Sequence, residues 1–409
     1  MKHAHVYYLT KAMMGLSFHM LFTAAGLYRI DVAKLEVFQL ILIGTALEIA
    51  IFIFEIPTGI MADLKSRKGS VILGLSIISI GAFLEGMMPL FWAIFIAQVI
   101  WGFGYTFISG ALEAWLSDQI EPERVGSTII TGSQMYQLFS VVGIIFAAIL
   151  GFRDIRLSLF VSAILALLLA FILIFLMKEK RIEHPESGIK FYQRYYGQLV
   201  NGFSHIKRHK TLRIMFFILL FFGLYSEGID RTYEVFILDT LQFRELFNLA
   251  PIWILSGVNA GILILGYLAL IIVKRFLKKG HHLYLWAFNL TFIMILGLLI
   301  FSLSGYAYVS LFGFLMFSLS REGTYPLLNT ILVENTPSRI KATVLSSFGQ
   351  LDAIGQLLSG GLMVVLSLGL SIQSLYLTSA LLLTVPLCLF LYLKRHRIDD
   401  VYHTGEIDG

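Results

Sequence analysis

Charge is scarce in this chain: only 14% of its 409 residues are Asp, Glu, Lys or Arg, while 57% are hydrophobic. A soluble globular protein of this length would need far more polar surface, so that class is excluded. Cysteine is scarcer still. The single Cys388 lies in an apolar run, so no intrachain disulfide can form. The loop histidines 3, 5, 184, 205, 209, 281 and 282 lack cysteine partners and HExxH spacing, so no metal site is expected. No Gly-rich segment ends in Gly-Lys-Ser/Thr, which removes a nucleotide-binding loop, and no Gly-x-Ser-x-Gly elbow offers a nucleophile. No enzyme activity and no cofactor are expected.

What the chain does have is long apolar runs, with a mean hydropathy of +0.81. About twelve stretches reach the roughly 20 residues needed to cross a hydrocarbon core. They fall near 6–30, 35–58, 70–89, 90–116, 127–151, 155–177, 212–240, 250–273, 282–304, 306–333, 342–367 and 371–393. The first lacks a small-residue cleavage site and reads as a retained span. The expected fold is an all-α integral membrane protein of twelve transmembrane helices in two six-helix halves.

A pI near 9.1 could suggest nucleic acid, but the basic residues sit in short loops beside apolar spans. No nucleic-acid partner is expected. Alternate loops hold Lys65, Arg67, Lys68, Arg124, Lys274, Arg275, Lys278, Lys279, Arg339 and Lys341, with nine more bases between Lys178 and Arg213. The opposite loops hold only Lys34, Arg153, Arg156 and Arg244. That bias is expected to place both termini and the central loop in the cytoplasm.

The halves are expected at 1–177 and 212–393, joined by a linker at 178–211 and followed by a tail at 394–409. In the linker, Phe191, Tyr195, Leu199, Phe203 and Ile206 recur at helical spacing among bases, which suits a helix lying on the inner membrane surface. A basic tether without fixed structure fits the same residues. The loops DQIEPERVGS (118–127) and ENTPSRIKAT (334–343) share an acid, Pro-x-Arg, a β-branched residue and a small residue. They lie about half a chain apart, as an internal duplication would place them.

Between the second and third runs stands EIPTGIMADLKSRKG, residues 55–69. It resembles the signature loop of the major facilitator superfamily, Gly-x-x-x-Asp-x-x-Gly-Arg-Lys/Arg. Gly59, Asp63, Arg67 and Lys68 match, and Ser66 replaces the second glycine. Physically, Gly59 allows a tight exit and close helix contact. Asp63 can accept from free amides of a helix N-terminus or pair with a base. Arg67 and Lys68 hold the loop on the cytoplasmic side, and the four together can act as a conformational latch. A plain topological anchor is the simpler reading. Glu-Ile-Pro before Thr58 and SGALEAWLSD (109–118) are similar to bacterial multidrug, macrolide and tetracycline exporters. The resemblance implies proton-driven export. Two departures stand against it: Gln98 occupies the place of an expected arginine, and the fifth span has Gly143 but no Gly-Pro.

Each charge inside a span costs about 2.5–3.5 kcal/mol on insertion scales, so such residues pair, face water or carry a proton. Glu48 and Glu55 lie two turns apart on one helix face, and Glu48, expected near the midplane, is the first proton-carrier candidate, with Asp352 and Glu55 beside it. On the seventh span Glu227 and Arg231 are four apart and can neutralise each other, which leaves Asp230 and Glu234 in need of a partner or water. Arg321, beside Glu322, can supply a partner across a cavity. Glu113 and Asp118, at a helix end, read as structural.

Trp101, Tyr105, Tyr136, Tyr225, Tyr233 and Tyr325 are placed to line such a cavity and receive a flat apolar ligand or a cation. The leading expectation is a monomeric secondary transporter that moves a small-molecule substrate across the lipid bilayer by alternating access, coupled to protons. A metabolite or nutrient permease is the alternative, favoured by paired acids and a narrow polar cavity. A membrane-embedded enzyme or channel lacks both a catalytic constellation and charge rings.

Overall fold

The computed structural model describes residues 3–179, 197, 209–277, 283–336 and 341–395, and among them every regular element is a helix. Fourteen α-helices follow in chain order: α1 (His3–Leu27), α2 (Val37–Leu64), α3 (Arg67–Met87), α4 (Phe91–Ile108), α5 (Ala111–Gln119), α6 (Pro122–Arg153) and α7 (Ile155–Leu176) come first. The second set is α8 (Lys210–Val235), α9 (Phe243–Phe247), α10 (Pro251–Leu277), α11 (Leu283–Leu303), α12 (Ala307–Glu334), α13 (Lys341–Ser367) and α14 (Ile372–Arg395). Short π-helical turns, Tyr28–Val32 and Phe236–Thr240, extend α1 and α8.

Twelve long helical segments result once α4 and α5 are read as one broken span, matching the twelve apolar stretches. The break is made by Gly110, whose φ of 72° suits a residue without a Cβ. Ten of the segments are long and apolar enough to cross a membrane by length and composition. The remaining two are α1, with Lys11 in its first half, and α12, with Arg321 and Glu322 at mid-length. Outward-facing Ile80, Trp92, Ile130, Ile164 and Phe175 are all more than half exposed, an apolar surface that lipid accommodates and water does not.

Local sequence sets the helix starts. The Glu36 amide donates to Gln39 Oε1 at 2.9 Å in a capping box, and Ser66 Oγ accepts from the Gly69 amide at 2.8 Å. Asp154 Oδ1 accepts from the Arg156 amide, and Pro122 opens α6 where its missing N–H is no loss. One expected loop is shorter than the sequence suggests. Helix α2 continues through Pro57 and Gly59 to Leu64, so only Lys65 and Ser66 separate it from α3. Gly59 therefore makes no turn, and among the described residues nothing lies within 4 Å of where its Cβ would be.

The chain divides into two compact units. The first contains Met1–Tyr192, Glu227–Leu263 and Gly360–Ile372; the second contains Gln193–Ser226, Ile264–Ser359 and Gln373–Gly409. Each is held by glycine-lined helix contacts of the same two kinds. In the first unit, a Cβ on Gly74 of α3 would meet the Gly104 carbonyl of α4 at 2.6 Å, and one on Gly15 would overlap the Tyr136 carbonyl of α6. In the second, a Cβ on Gly297 of α11 would meet the Gly313 carbonyl of α12 at 2.7 Å, and one on Gly223 of α8 would overlap the Asp352 carbonyl of α13. Phe191, Tyr195, Leu199, Phe203 and Ile206 of the expected surface helix lie outside the described residues, as do residues 337–340 of the second repeated loop and the tail from 396.

Candidate functional site

Within the first unit α1, α2, α4 and α8 enclose a cavity of about 230 Å³. Phe22, Trp101 and Tyr233 supply aromatic wall; Arg29, Gln98, Asp230, Arg231 and Glu234 supply polar wall. Arg231 organises one side. Its Nε donates to Glu227 Oε2 at 3.0 Å and its Nη2 to Glu48 Oε1 at 3.1 Å. The i,i+4 pair on α8 was legible in the sequence; the bond to Glu48 joins α8 to α2. Gly44 of α2 makes that approach possible, because a Cβ there would overlap the Arg231 side chain. Glu227 is 3% exposed and Glu48 19%, so neither carboxylate has bulk water as its main partner.

Glu234 occupies the opposite side. Its carboxylate sits where a side chain on Gly26 of α1 would be, and it feels the attraction of Arg29. Tyr233 Oη donates to Asn259 Oδ1 at 2.9 Å and lies 3.3 Å from Glu234 Oε1, while Asn259 Nδ2 donates to Thr23 Oγ1 at 3.4 Å. This polar ladder ties α8 to α10 and α1.

A third network escaped sequence reasoning. Arg29 Nε donates to Glu85 Oε1 at 2.7 Å, and Gln98 Nε2 donates to Glu85 Oε2 at 2.7 Å. Glu85 is 1% exposed. Gln98, noted as standing where an arginine is expected, thus meets a carboxylate whose charge is already answered by Arg29. Among the described residues, two guanidiniums and two carboxylates (Asp230 and Glu234) line this cavity, and three more carboxylates (Glu48, Glu85 and Glu227) bond those guanidiniums, a formal excess of three negative charges.

A buried charge cluster among long apolar helices, carried on glycine-lined contacts, is the build of a solute path. The sequence profile of the Major Facilitator Superfamily matches residues 7–360. The chain belongs to that superfamily. It is a multi-pass membrane transporter and not an enzyme. The MFS-type transporter YxaM of Bacillus subtilis (strain 168) is 24% identical over 409 residues, covering 97% of each chain. Among solved structures, a mutant of the nucleoside transporter NupG aligns with a TM-score of 0.81 at 14% identity, covering 96% of this chain and all of that one. A POT family transporter with a bound peptide conjugate aligns at 0.75 and 14% identity, covering 96% of each chain. These likenesses establish the major facilitator fold.

Against that fold the remaining expected residues can be placed. In this facilitator Trp101 lines the cavity, and Tyr105 stacks on it with centroids 5.5 Å apart and planes 10° from parallel. Tyr136 stands edge-on to His19 at 5.5 Å. Glu55 does not join Glu48; its Oε1 accepts from Ser109 Oγ at 3.0 Å, at the end of α4. Tyr225, Arg321, Glu322 and Asp352 belong to the second unit. There Arg321 lies over the fully buried Tyr225 ring at 5.8 Å, Glu322 packs beside Gly266, and Asp352 Oδ2 accepts from Gln356 at 3.0 Å. Tyr325 meets Phe222 edge-on at 6.2 Å.

The signature segment forms a network of its own. Arg67 Nη2 bonds Asp63 Oδ1 at 3.0 Å, and its Nη1 reaches both Asp118 and the Ala114 carbonyl. The free amides of α3 go to Glu179: the Arg67 amide donates to its Oε1 at 2.7 Å, and the Ser66 hydroxyl to its Oε2. Lys68 Nζ donates to the Ile174 carbonyl at 2.7 Å. Asp118 and Glu179 extend the expected set of four, and Glu179 takes the amide-capping role that Asp63 could have filled. Glu113, read as structural, bonds Lys11 at 2.5 Å.

Proposed function

We propose that this chain is a proton-coupled secondary transporter that works by alternating access and exports small amphipathic organic cations. The observation that carries this reading is Arg231 shared between Glu48 and Glu227, in a cavity where carboxylates outnumber guanidiniums by three. Carboxylates held in formal excess in a low-dielectric chamber attract whatever positive charge reaches them, a proton or an organic cation. A proton on Glu48 removes one of the two anions that hold Arg231 and lowers the cavity's hold on a cation. Proton and cation then compete for one pool of negative charge, and competition for a shared site is the requirement for exchange. Phe22, Trp101 and Tyr233 supply ring faces and edges for a flat apolar part of the solute. The similarity of the Glu55-Ile56-Pro57 and SGALEAWLSD segments to drug exporters supports the export direction. The basic-loop bias puts both termini in the cytoplasm, so that an inward proton gradient would drive solute outward. Glu48 is the proton carrier, and Asp63, Arg67 and Lys68 form the cytoplasmic latch with Asp118 and Glu179. The chain acts as a monomer.

A second reading has its own support. A volume of about 230 Å³ lies below the roughly 300–1,000 Å³ of drug-sized pockets, and its wall is rich in charge, as a permease for a small polar metabolite would require. Vesicles containing the purified protein and a pH-sensitive dye separate the two. A flat organic cation such as ethidium should cause proton movement that a neutral nucleoside or a dipeptide does not. Proton movement with the nucleoside or dipeptide and none with the cation would establish the permease.

A further inference from the structure

Helices α1 and α8 end in the same unusual way. Each runs into one π-helical turn, Tyr28–Val32 and Phe236–Thr240. In each, the amide five residues on closes the turn: Ala33 N donates to the Tyr28 carbonyl and Leu241 N to the Phe236 carbonyl, both at 2.9 Å. The two sequences, YRIDV and FILDT, place an aspartate at the fourth position. Three residues beyond it each chain passes through a left-handed residue that is not glycine, Lys34 with φ 53° and Gln242 with φ 56°. One sequence offset relates all of these positions, and it also relates Gly15 to Gly223. Single π-turns inside α-helices are rare and concentrate at functional sites, and a left-handed residue with a Cβ is strained. Strain of this kind persists where the surrounding structure over-determines it, and it clusters at clamps and switch regions.

The purpose is visible in where the aspartates point. Both hold Arg244, which α9 presents just beyond the second π-turn. Asp31 takes its guanidinium in bidentate fashion, Nη1 to Oδ2 at 2.8 Å and Nη2 to Oδ1 at 2.6 Å. Asp239 Oδ1 takes Nε at 3.0 Å. The hydrogen bonds to Asp31, with the charges of both acids, raise the Arg244 pKa above its ordinary value, so the cation is permanent. Arg244 and Asp31 are about one-third exposed and Asp239 one-half. Water therefore reaches the contact and weakens each arm. A contact of that strength can form and break in every cycle. Its place in the chain is fixed by the loops: Lys34 and Arg244 belong to the basic-poor set, opposite to the Arg67 network.

We propose that Asp31, Asp239 and Arg244 form a clasp that closes the outer end of the solute path, one arm from each helix repeat, and that Arg244 is a positioning residue for transport. The clasp is made while the cavity is shut to the outside and broken when it opens. This rests on the alternating-access reading but on neither the solute nor the coupling ion.

The test is the accessibility of a cavity cysteine. Cys388→Ser removes the native thiol, and Phe22→Cys, at a cavity-lining position, supplies a reporter for a membrane-impermeant maleimide. With no substrate present, Arg244→Ala should raise the labelling rate from the outer face about five- to tenfold and lower it from the cytoplasmic face. Asp31→Asn should do nearly as much and Asp239→Asn less, while Arg244→Lys should stay close to the parent. If Arg244→Ala fails to insert, Asp31→Asn carries the same expectation. Unchanged outer labelling, or an equal gain from both faces, overturns the clasp. Because no proton gradient or solute enters the assay, failure here is distinct from failure of proton-coupled export.

Discussion

The Glu234 carboxylate occupies the space beside Gly26 that any side chain at position 26 would claim. An acid of α8 is thereby seated on the bare backbone of α1, and the site depends on a residue that brings no chemistry of its own.

That relationship separates two glycine substitutions on one helix. Gly26→Ala displaces only the far end of a flexible side chain, so the fold should survive with a thermal midpoint close to the parent. Transport should fall at least about tenfold, equivalent to ~1.4 kcal/mol, because Glu234 loses its place beside Tyr233 and Arg29. Gly15→Ala instead drives a methyl into the Tyr136 carbonyl of α6 and should destabilise the protein by about 1–3 kcal/mol. Thermal unfolding in detergent, paired with vesicle uptake, checks both. Equal loss of stability in the two variants would remove the special role of Gly26.

Glu48→Gln keeps the size of the side chain and leaves Arg231 bonded to Glu227. Insertion should persist, solute binding should weaken as it does when Glu48 is protonated, and solute-dependent proton movement should drop by about tenfold or more. Normal gradient-driven transport by this variant would take Glu48 out of the proton path.

The buried Arg29–Glu85 pair should behave asymmetrically. Glu85→Gln takes away the carboxylate bonded to Arg29, leaves only the longer attraction of Glu234, and should cost about 3 kcal/mol, seen as a lower unfolding midpoint and reduced yield. Replacing both residues with methionine should recover most of that loss. A double variant as unstable as the single one would mean that the pair does more than balance charge.

At the Arg67 network, Glu179→Gln should weaken the hold on the free amides of α3 and slow transport several-fold without altering insertion. Asp63→Asn should act in the same direction, through the loss of one arm from Arg67. Full transport rates in both variants would reduce the segment to an anchor.

Helical spacing made the Glu227–Arg231 pair readable, since residues four apart on a helix meet whatever surrounds them. The signature residues Asp63, Arg67 and Lys68 were readable as a local pattern, while their partners Asp118, Glu179 and the Ile174 carbonyl were not. Glu85 was not. A lone acid near the end of an apolar run has no periodicity to declare its role, and its partners Arg29 and Gln98 come from other helices. The pairing of Asp31 with Arg244 was hidden in the same way, because the two stand 213 positions apart in the chain.

The amino-acid sequence by itself determined that the chain is helical, crosses the membrane about twelve times and places acids and arginines where lipid cannot solvate them. Those properties follow from composition and from the short period of the helix, which are local. Only the tertiary structure decided which charges meet: that Arg231 turns to Glu48 rather than Glu55, that Arg29 answers Glu85, and that two glycines clear the way. Partners on different helices depend on how far each helix is rotated and slid against its neighbours, and close backbone packing sets that registry at the few points where a side chain is missing.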